Sequence, residues 1–217
     1  MYRLKEDKMA ELEIKKSRFL CYLHTCKCEE DAKAFILQIK KEHPNANHHC
    51  YAFVIGEQNE CMRSNDDKEP AGTAGVPMLE CLTKNHMQDI AAVTVRYFGG
   101  IKLGAGGLIR AYSKSVSNAL SQAILTRKQK MLTYQISFSY ELIGKLDYFF
   151  RSNEIHILNK QYDESVTYTF LCKNAVDEEL SELCNGTYVP EFIEEIIIDV
   201  DLQQDSDEPV SHTLSDK

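Results

Sequence analysis

Two stretches of the chain concentrate residue types that could do chemistry. The first, Arg63 to Gly75, reads RSNDDKEPAGTAG. It sets Asp66, Asp67 and Glu69 beside Arg63 and Lys68, then runs through Gly72 and Thr73 into a predicted helix. Carboxylates at this density suit acid–base work or a hard cation, and amides freed at a helix start suit an anion. The plainer reading is a solvated turn that caps the helix. The second stretch, Arg96 to Tyr112, reads RYFGGIKLGAGGLIRAY. Gly99, Gly100, Gly104, Gly106 and Gly107 lie between a predicted strand and a predicted helix, the layout of a phosphate cradle. Arg96, Lys102 and Arg110 supply positive charge, and Tyr97, Phe98 and Tyr112 supply faces on which bases stack. No G-K-[ST] follows the glycines and G-A-G-G is not G-x-G-x-x-G, so neither a P-loop nor a dinucleotide fingerprint is present. Tight packing of strand on helix is the competing reading of these glycines.

Other combinations carry less. His48-His49-Cys50 opens a strand, where neighbouring side chains point to opposite faces, so one of the two histidines faces the Asp66/Glu69 loop; His49 is the candidate. No metal set is expected, because no C-x-x-C occurs and the cysteine and histidine spacings lack metal-site pairs. Cys50 and Cys61 have no marks of a poised thiolate, no G-x-S-x-G or H-E-x-x-H is present, and no catalytic residue or cofactor is assigned.

The elements that position these stretches follow from apolar periodicity. Strands are predicted at 9–15, 18–25, 49–55 and 90–98, and helices at 28–42, 75–85 and 108–125, with a polar loop over 56–72. After a linker at 126–132, strands at 133–140, 154–161, 165–171 and 192–200 alternate with helices at 144–153 and 174–185. That order, β-α-β-β-α-β, is ferredoxin-like. The fold class is α+β in two domains, 1–128 and 133–200, each a sheet covered on one face by helices, followed by an acidic disordered tail at 203–217.

The chain has 217 residues and a net charge of −8, with 43% hydrophobic and 27% charged residues. No apolar run reaches the ~18 residues of a membrane span, and the N-terminus lacks an apolar signal core, so a cytoplasmic location without membrane contact is expected. The eight cysteines then read as small hydrophobes in a reducing compartment. Charge is uneven: residues 1–128 are net +4, residues 129–200 net −8, and residues 201–217 net −4. The half with the glycine loop is the one that tolerates an anionic partner.

Four segments together resemble the YigZ/IMPACT family: KKSRF at 15–19, HPNANHHCYAF at 43–53, SNDDKEPAGTAGVPML at 64–79 and VRYFGGIKLGAGGLIRAY at 95–112. The resemblance covers about residues 1–125, and the second half looks like the C-terminal domain of the bacterial YigZ-type members. It implies a first domain like domain IV of elongation factor G and the second domain of a small-subunit ribosomal protein, and a second domain like domain V of that factor. It also implies a cytosolic role near RNA, the ribosome or translational control.

Three readings follow. The first is a module that binds RNA or a ribosome or translation-factor surface, with Arg96, Lys102 and Arg110 on phosphates and Tyr97 or Tyr112 stacking. The second is an enzyme on a small phosphorylated or peptide substrate that uses Asp66 and Glu69. The third is an adaptor whose acidic second domain meets a basic protein. A deep pocket joining Asp66 or Glu69 to the glycine loop would favour the second; pairing of those carboxylates with Arg63, Arg96 or Lys68 would count against it.

Overall fold

The computed structural model describes residues 1–202; the tail expected at 203–217 lies outside the described residues. Contacts divide the described residues into two compact units, Met1–Arg127 together with Val200–Leu202, and Lys128–Asp199.

The first unit is built on an antiparallel sheet of β2 (Lys8–Ile14), β3 (Ser17–Thr25), β6 (Ile90–Tyr97), β4 (His48–Ile55) and β5 (Cys61–Asn65), in that order. A short first strand, β1 (Tyr2–Leu4), pairs with the opening residues of β7 (Leu125–Phe138), from Leu125 to Arg127. The helices are α1 (Glu29–Glu42), α2 (Gly75–Lys84) and α3 (Ala105–Leu120).

These helices cover both faces of the sheet, not one. Ala91, Val93 and Val95 of β6 pack with Ala32, Phe35, Ile36 and Ile39 of α1. Ile90 and Ala92 pack on the opposite face with Met78 and Leu82 of α2 and with Ala111 and Val116 of α3. Successive strand residues point to opposite faces, so a strand buried twice must be apolar throughout. IAAVTVRY meets that demand, and its one polar mid-strand residue, Thr94, shares a hydrogen bond of 3.1 Å with Ser115 of α3.

Other boundaries also differ from the sequence reading. The loop expected over 56–72 contains β5, an edge strand with exposed Met62 and Arg63 and hence no apolar signature. Residues 126–132 are strand, not linker: they lie inside β7, whose polar alternation hid it. Helix α3 begins three residues earlier than expected, because Gly106 and Gly107, poor helix formers, occupy its first turn.

The second unit follows the expected order. β7 leads through a 3-10 turn (Tyr140–Leu142) into α4 (Ile143–Ser152), then β8 (His156–Tyr162), β9 (Val166–Cys172), α5 (Asp177–Leu183) and β10 (Glu191–Asp201). β9 lies between β7 and β8, and β10 pairs with β7. Tyr134, Ile136, Phe138, Tyr168 and Phe170 form its core with Leu146, Phe150 and Leu180 of the helices.

Double coverage of β6 makes a prediction. Ala91 and Ala92 are both fully buried and face opposite layers. Ala91→Leu and Ala92→Leu should each destabilise the first unit by about 1–3 kcal/mol through overpacking. Denaturant unfolding checks this; a neutral effect at either position would mean that its face is uncovered.

Candidate functional site

At one end of the sheet the two chemistry-bearing stretches meet around a buried carboxylate. Glu69 accepts hydrogen bonds through one oxygen from Arg96 Nη1 at 2.5 Å and from the Tyr112 hydroxyl at 2.8 Å. Arg96 comes from β6, Tyr112 from the second turn of α3, and Glu69 from the loop that leads into α2. The guanidinium lies between two aromatic rings, 5.4 Å from the centre of Phe19 and 5.6 Å from that of Phe98. Its Nη2 reaches Ser17 Oγ at 3.5 Å, while its Nε is buried without a partner. Such flanking by ring faces is a favourable site for a cation in a dry setting.

This places Arg96 and Tyr112 differently from the sequence reading. Both were expected to meet a ligand; both are buried, at 5% and 0% exposure. Burial, followed by the nearby Cys50 and Glu69, holds the Tyr112 hydroxyl far above the ordinary tyrosine range, so it stays a donor. Burial likewise pushes the Cys50 thiol up to about 12, against the opposing hydrogen bond from Tyr112, and its sulfur donates to the Asp66 carbonyl at 3.0 Å. Cys61 is also raised, by burial and by Glu29. Neither sulfur is a poised thiolate at neutral pH.

Both histidines meet the loop that carries Asp66 and Glu69: His48 on the side of the Glu69 cluster, His49 through Asp67, whose carboxylate lies 3.5 Å from His49 Nδ1. Register pairs His48 with Arg96, and alternation puts it on the Cys50 face. His48 Nδ1 meets the Asp67 carbonyl at 2.9 Å, an acceptor only, so Nδ1 carries the proton; Nε2 lies 3.6 Å from Glu69. His49 points to the other layer, where its Nε2 donates to the His43 carbonyl at 2.9 Å and its amide donates to Asp67 at 2.7 Å.

The other carboxylate is consumed locally. Asp66 accepts from the amides of Gly72, Ala74 and Gly75 at 2.8–2.9 Å. The helix-start amides expected to hold an anion therefore already hold one. Burial alone would raise the Asp66 pKa, but the three amide bonds outweigh it and the net shift is downward. Thr73 bonds back to the Pro70 carbonyl at 2.7 Å, and Gly72 takes a positive φ of 75° to close the turn. Arg63 is exposed on β5, its Nη1 bonded to the Met62 carbonyl, and takes no part in the cluster.

The glycine loop divides between packing and exposure. A Cβ on Gly99 would lie 2.0 Å from the Lys16 carbonyl, and its amide donates to Ser17 Oγ at 3.1 Å. Gly99 is thus required by the β2–β3 turn. Gly104 caps α3 at φ 71° with open space around it, and the first turn of α3 carries no acidic residue and no side-chain cap. Lys102 and Arg110 are exposed and form no ion pair among the described residues, whereas Tyr97 bonds to His43 through its hydroxyl at 2.8 Å.

Two cations missing from the sequence reading join them. Ile14 pairs with Ser17, so Lys15 and Lys16 alone make the β2–β3 turn, with φ of 48° and 64°. Such turns favour Asn-Gly; lysine pays conformational strain there. Two alternating strands separated by two residues were the signal that could have found it. Both lysines are exposed and without ion pairs among the described residues. Two shallow hollows open elsewhere, one lined by His24, Lys27, Asp31 and Phe35 and one by Asp147, Arg151 and Lys160; neither includes Asp66, Glu69 or the glycine loop. Among the described residues no cluster of His, Cys, Asp or Glu has metal-binding form.

The family model of the Impact N-terminal domain matches residues 15–120, which include the buried ion pair and the glycine loop; the domain of unknown function DUF1949 matches residues 136–187. The chain belongs to the IMPACT family. It is 44% identical to IMPACT family member YvyE of Bacillus subtilis (strain 168), over 85% of this chain and 87% of that protein. It is 41% identical to IMPACT family member YigZ of Escherichia coli (strain K12), over 71% and 76%. A crystal structure of a hypothetical protein superposes with a TM-score of 0.57 at 35% identity, covering 89% of this chain and 97% of its own. No helix among the described residues is long and apolar enough to cross a membrane.

Two predictions come from the cluster. Glu69→Ala strands a buried guanidinium and should cost about 3–5 kcal/mol, with most of that restored in Glu69→Met/Arg96→Met; a loss below about 1 kcal/mol would show that the pair is not desolvated. Asp66→Ala should cost about 1–2 kcal/mol at pH 7 as the helix cap is lost. A carboxylate whose pKa falls on folding stabilises fully above its unfolded value near 3.9 and loses that contribution as pH drops through the folded value. Asp66→Ala should therefore lose less stability than the parent on acidification below about pH 4, read from urea midpoints across that range.

Proposed function

We propose that the chain acts in translational regulation by binding RNA or an RNA-bearing surface of the translation machinery through the rim of the first unit. The observation that carries this reading is the group of exposed cations Lys15, Lys16, Lys102 and Arg110, none neutralised by a carboxylate among the described residues. Lys15 and Lys16 form the turn that Gly99 packs against, and Lys102 and Arg110 lie three and eleven residues beyond Gly99. Such cations contact phosphates at low desolvation cost, and helix α3 adds amides from a first turn free of acid. Exposed Phe98 and Ile101, at 46% and 42%, offer apolar area beside them. Family membership supports the translational setting. Arg96 and Tyr112 serve this surface from beneath, by holding the loop in place.

The enzymatic alternative, with Asp66 and Glu69 on a small phosphorylated or peptide substrate, has less support. Asp66 is occupied by three amides and Glu69 by Arg96 and Tyr112.

The test is binding of a structured RNA measured across salt. Lys102→Ala/Arg110→Ala should lower affinity at least tenfold near 0.1 M salt and reduce the slope of log K against log salt by about 1.8. Lys15→Asn/Lys16→Gly favours the same turn without the charges, and should weaken binding while leaving stability equal or higher. Unchanged RNA affinity in both double variants would overturn the proposal.

A further inference from the structure

The long edge strand of the second unit has a surface that the RNA reading does not use. Among the described residues β10 pairs with β7 alone, so one side of it offers unpaired backbone groups. Edge strands of this length are ready templates for another strand, and proteins usually blunt them with lysine, proline or a bulge. From Glu191 to Asp199 this one has none of the first two. Instead it reads EFIEEIIID, exposed throughout Glu191–Glu195 and alternating in burial from Ile196 onward. Ile196 and Ile198 are half-buried, and Phe192, itself 51% exposed, sets its ring 5.6 Å from that of the buried Tyr134; these mark the inner face. The opposite face then presents Glu191, Ile193, Glu195, Ile197 and Asp199, an acid and an isoleucine in turn. Ile193 and Ile197 stand 47% and 58% exposed, unusual for isoleucine on a strand. Of these acids, among the described residues only Glu195 has an ion-pair partner, Lys130 at 2.8 Å.

We infer that β10 is a docking edge for an extended, basic protein segment, which adds as a further strand. The occupant follows from chemistry. Main-chain hydrogen bonds along the free edge supply affinity in strand addition, and alternate side chains supply selectivity. Opposite-charge and apolar pairs directly across two strands stabilise, while like charges destabilise. A segment alternating lysine or arginine with aliphatic residues therefore matches this edge. A second copy of the chain brings no opposite charge to the edge, and antiparallel self-pairing centred on Glu195 would set Glu195 against Glu195 and Glu191 against Asp199. The surrounding acidity points the same way, since residues 129–200 are net −8. This strand belongs to the second unit, and its partner is protein rather than RNA.

The experiment uses the full chain and three synthetic octapeptides. One alternates lysine and valine, one replaces lysine with glutamate, and one is the lysine peptide N-methylated on the amides that would face β10. Binding is followed by calorimetry, and amide protection by hydrogen exchange. The lysine peptide should bind and slow exchange within residues 191–199, and the N-methylated and glutamate peptides should bind at least tenfold more weakly. Glu191→Lys/Asp199→Lys, which spares the Glu195–Lys130 pair, should invert the preference between the lysine and glutamate peptides. Equal binding of the N-methylated peptide, protection mapping elsewhere, an uninverted preference, or a dimer of the chain that excludes the peptide would each overturn the assignment. RNA affinity of the same double variant should be unchanged, so failure here is distinct from failure of the RNA reading.

Discussion

The buried pair of Arg96 and Glu69 is the constraint around which the first unit is arranged. A guanidinium taken out of water must find a carboxylate and further polar or aromatic company, or the fold loses several kcal/mol. Each neighbour answers that demand. Glu69 is delivered by a loop that Asp66 pins to the start of α2, Tyr112 donates a second hydrogen bond, Phe19 and Phe98 cover the cation's faces, and Ser17 links Arg96 to the amide of Gly99. The glycine loop thus gains its shape from below. What it shows to solvent is a separate set of residues: two lysines in a strained turn, Lys102 and Arg110. Structure and surface chemistry are divided between neighbouring positions of one motif.

This division explains what could and could not be read from the sequence. The strand at 90–97 and the ferredoxin-like order of the second half were legible because burial on one or two faces leaves an unmistakable period. The same strand also held the evidence that helices cover both faces of its sheet, since IAAVTVRY has no polar alternation. β5 and the 126–132 stretch escaped because exposed and half-exposed strands built from Arg, Ser, Asn, Lys and Gln look like loops. The two chemical stretches were legible by composition. Which arginine was buried was not, because it depends on Glu69 arriving from 27 residues away. Likewise the choice between His48 and His49 rests on one step of register, which places His48 opposite Arg96.

The two units put their charge to different uses. In the first, the three carboxylates of the loop before α2 are drawn inward: Asp66 to amides, Glu69 to Arg96, Asp67 to the His49 amide. The cations left outside give the rim its sign despite a chain that is net −8. In the second, acids stay on the surface, and along β10 they alternate with isoleucine. A single net charge for the molecule hides both arrangements.

The partners in the Glu69 cluster come from far apart along the chain: Ser17 and Arg96 lie 79 residues apart, Tyr112 and Glu69 43. Nothing local can assemble it. A fluctuation that lifts β6 away from the Glu69 loop would unpair a buried charge, and one that lifts α3 would remove a hydrogen bond from Glu69, so opening at this end of the sheet is costly. Under the proposed reading, a ligand meeting Lys15 and Lys16 would find their turn already held by Ser17 and Gly99, so that part of the ordering entropy would be met during folding rather than at the moment of encounter.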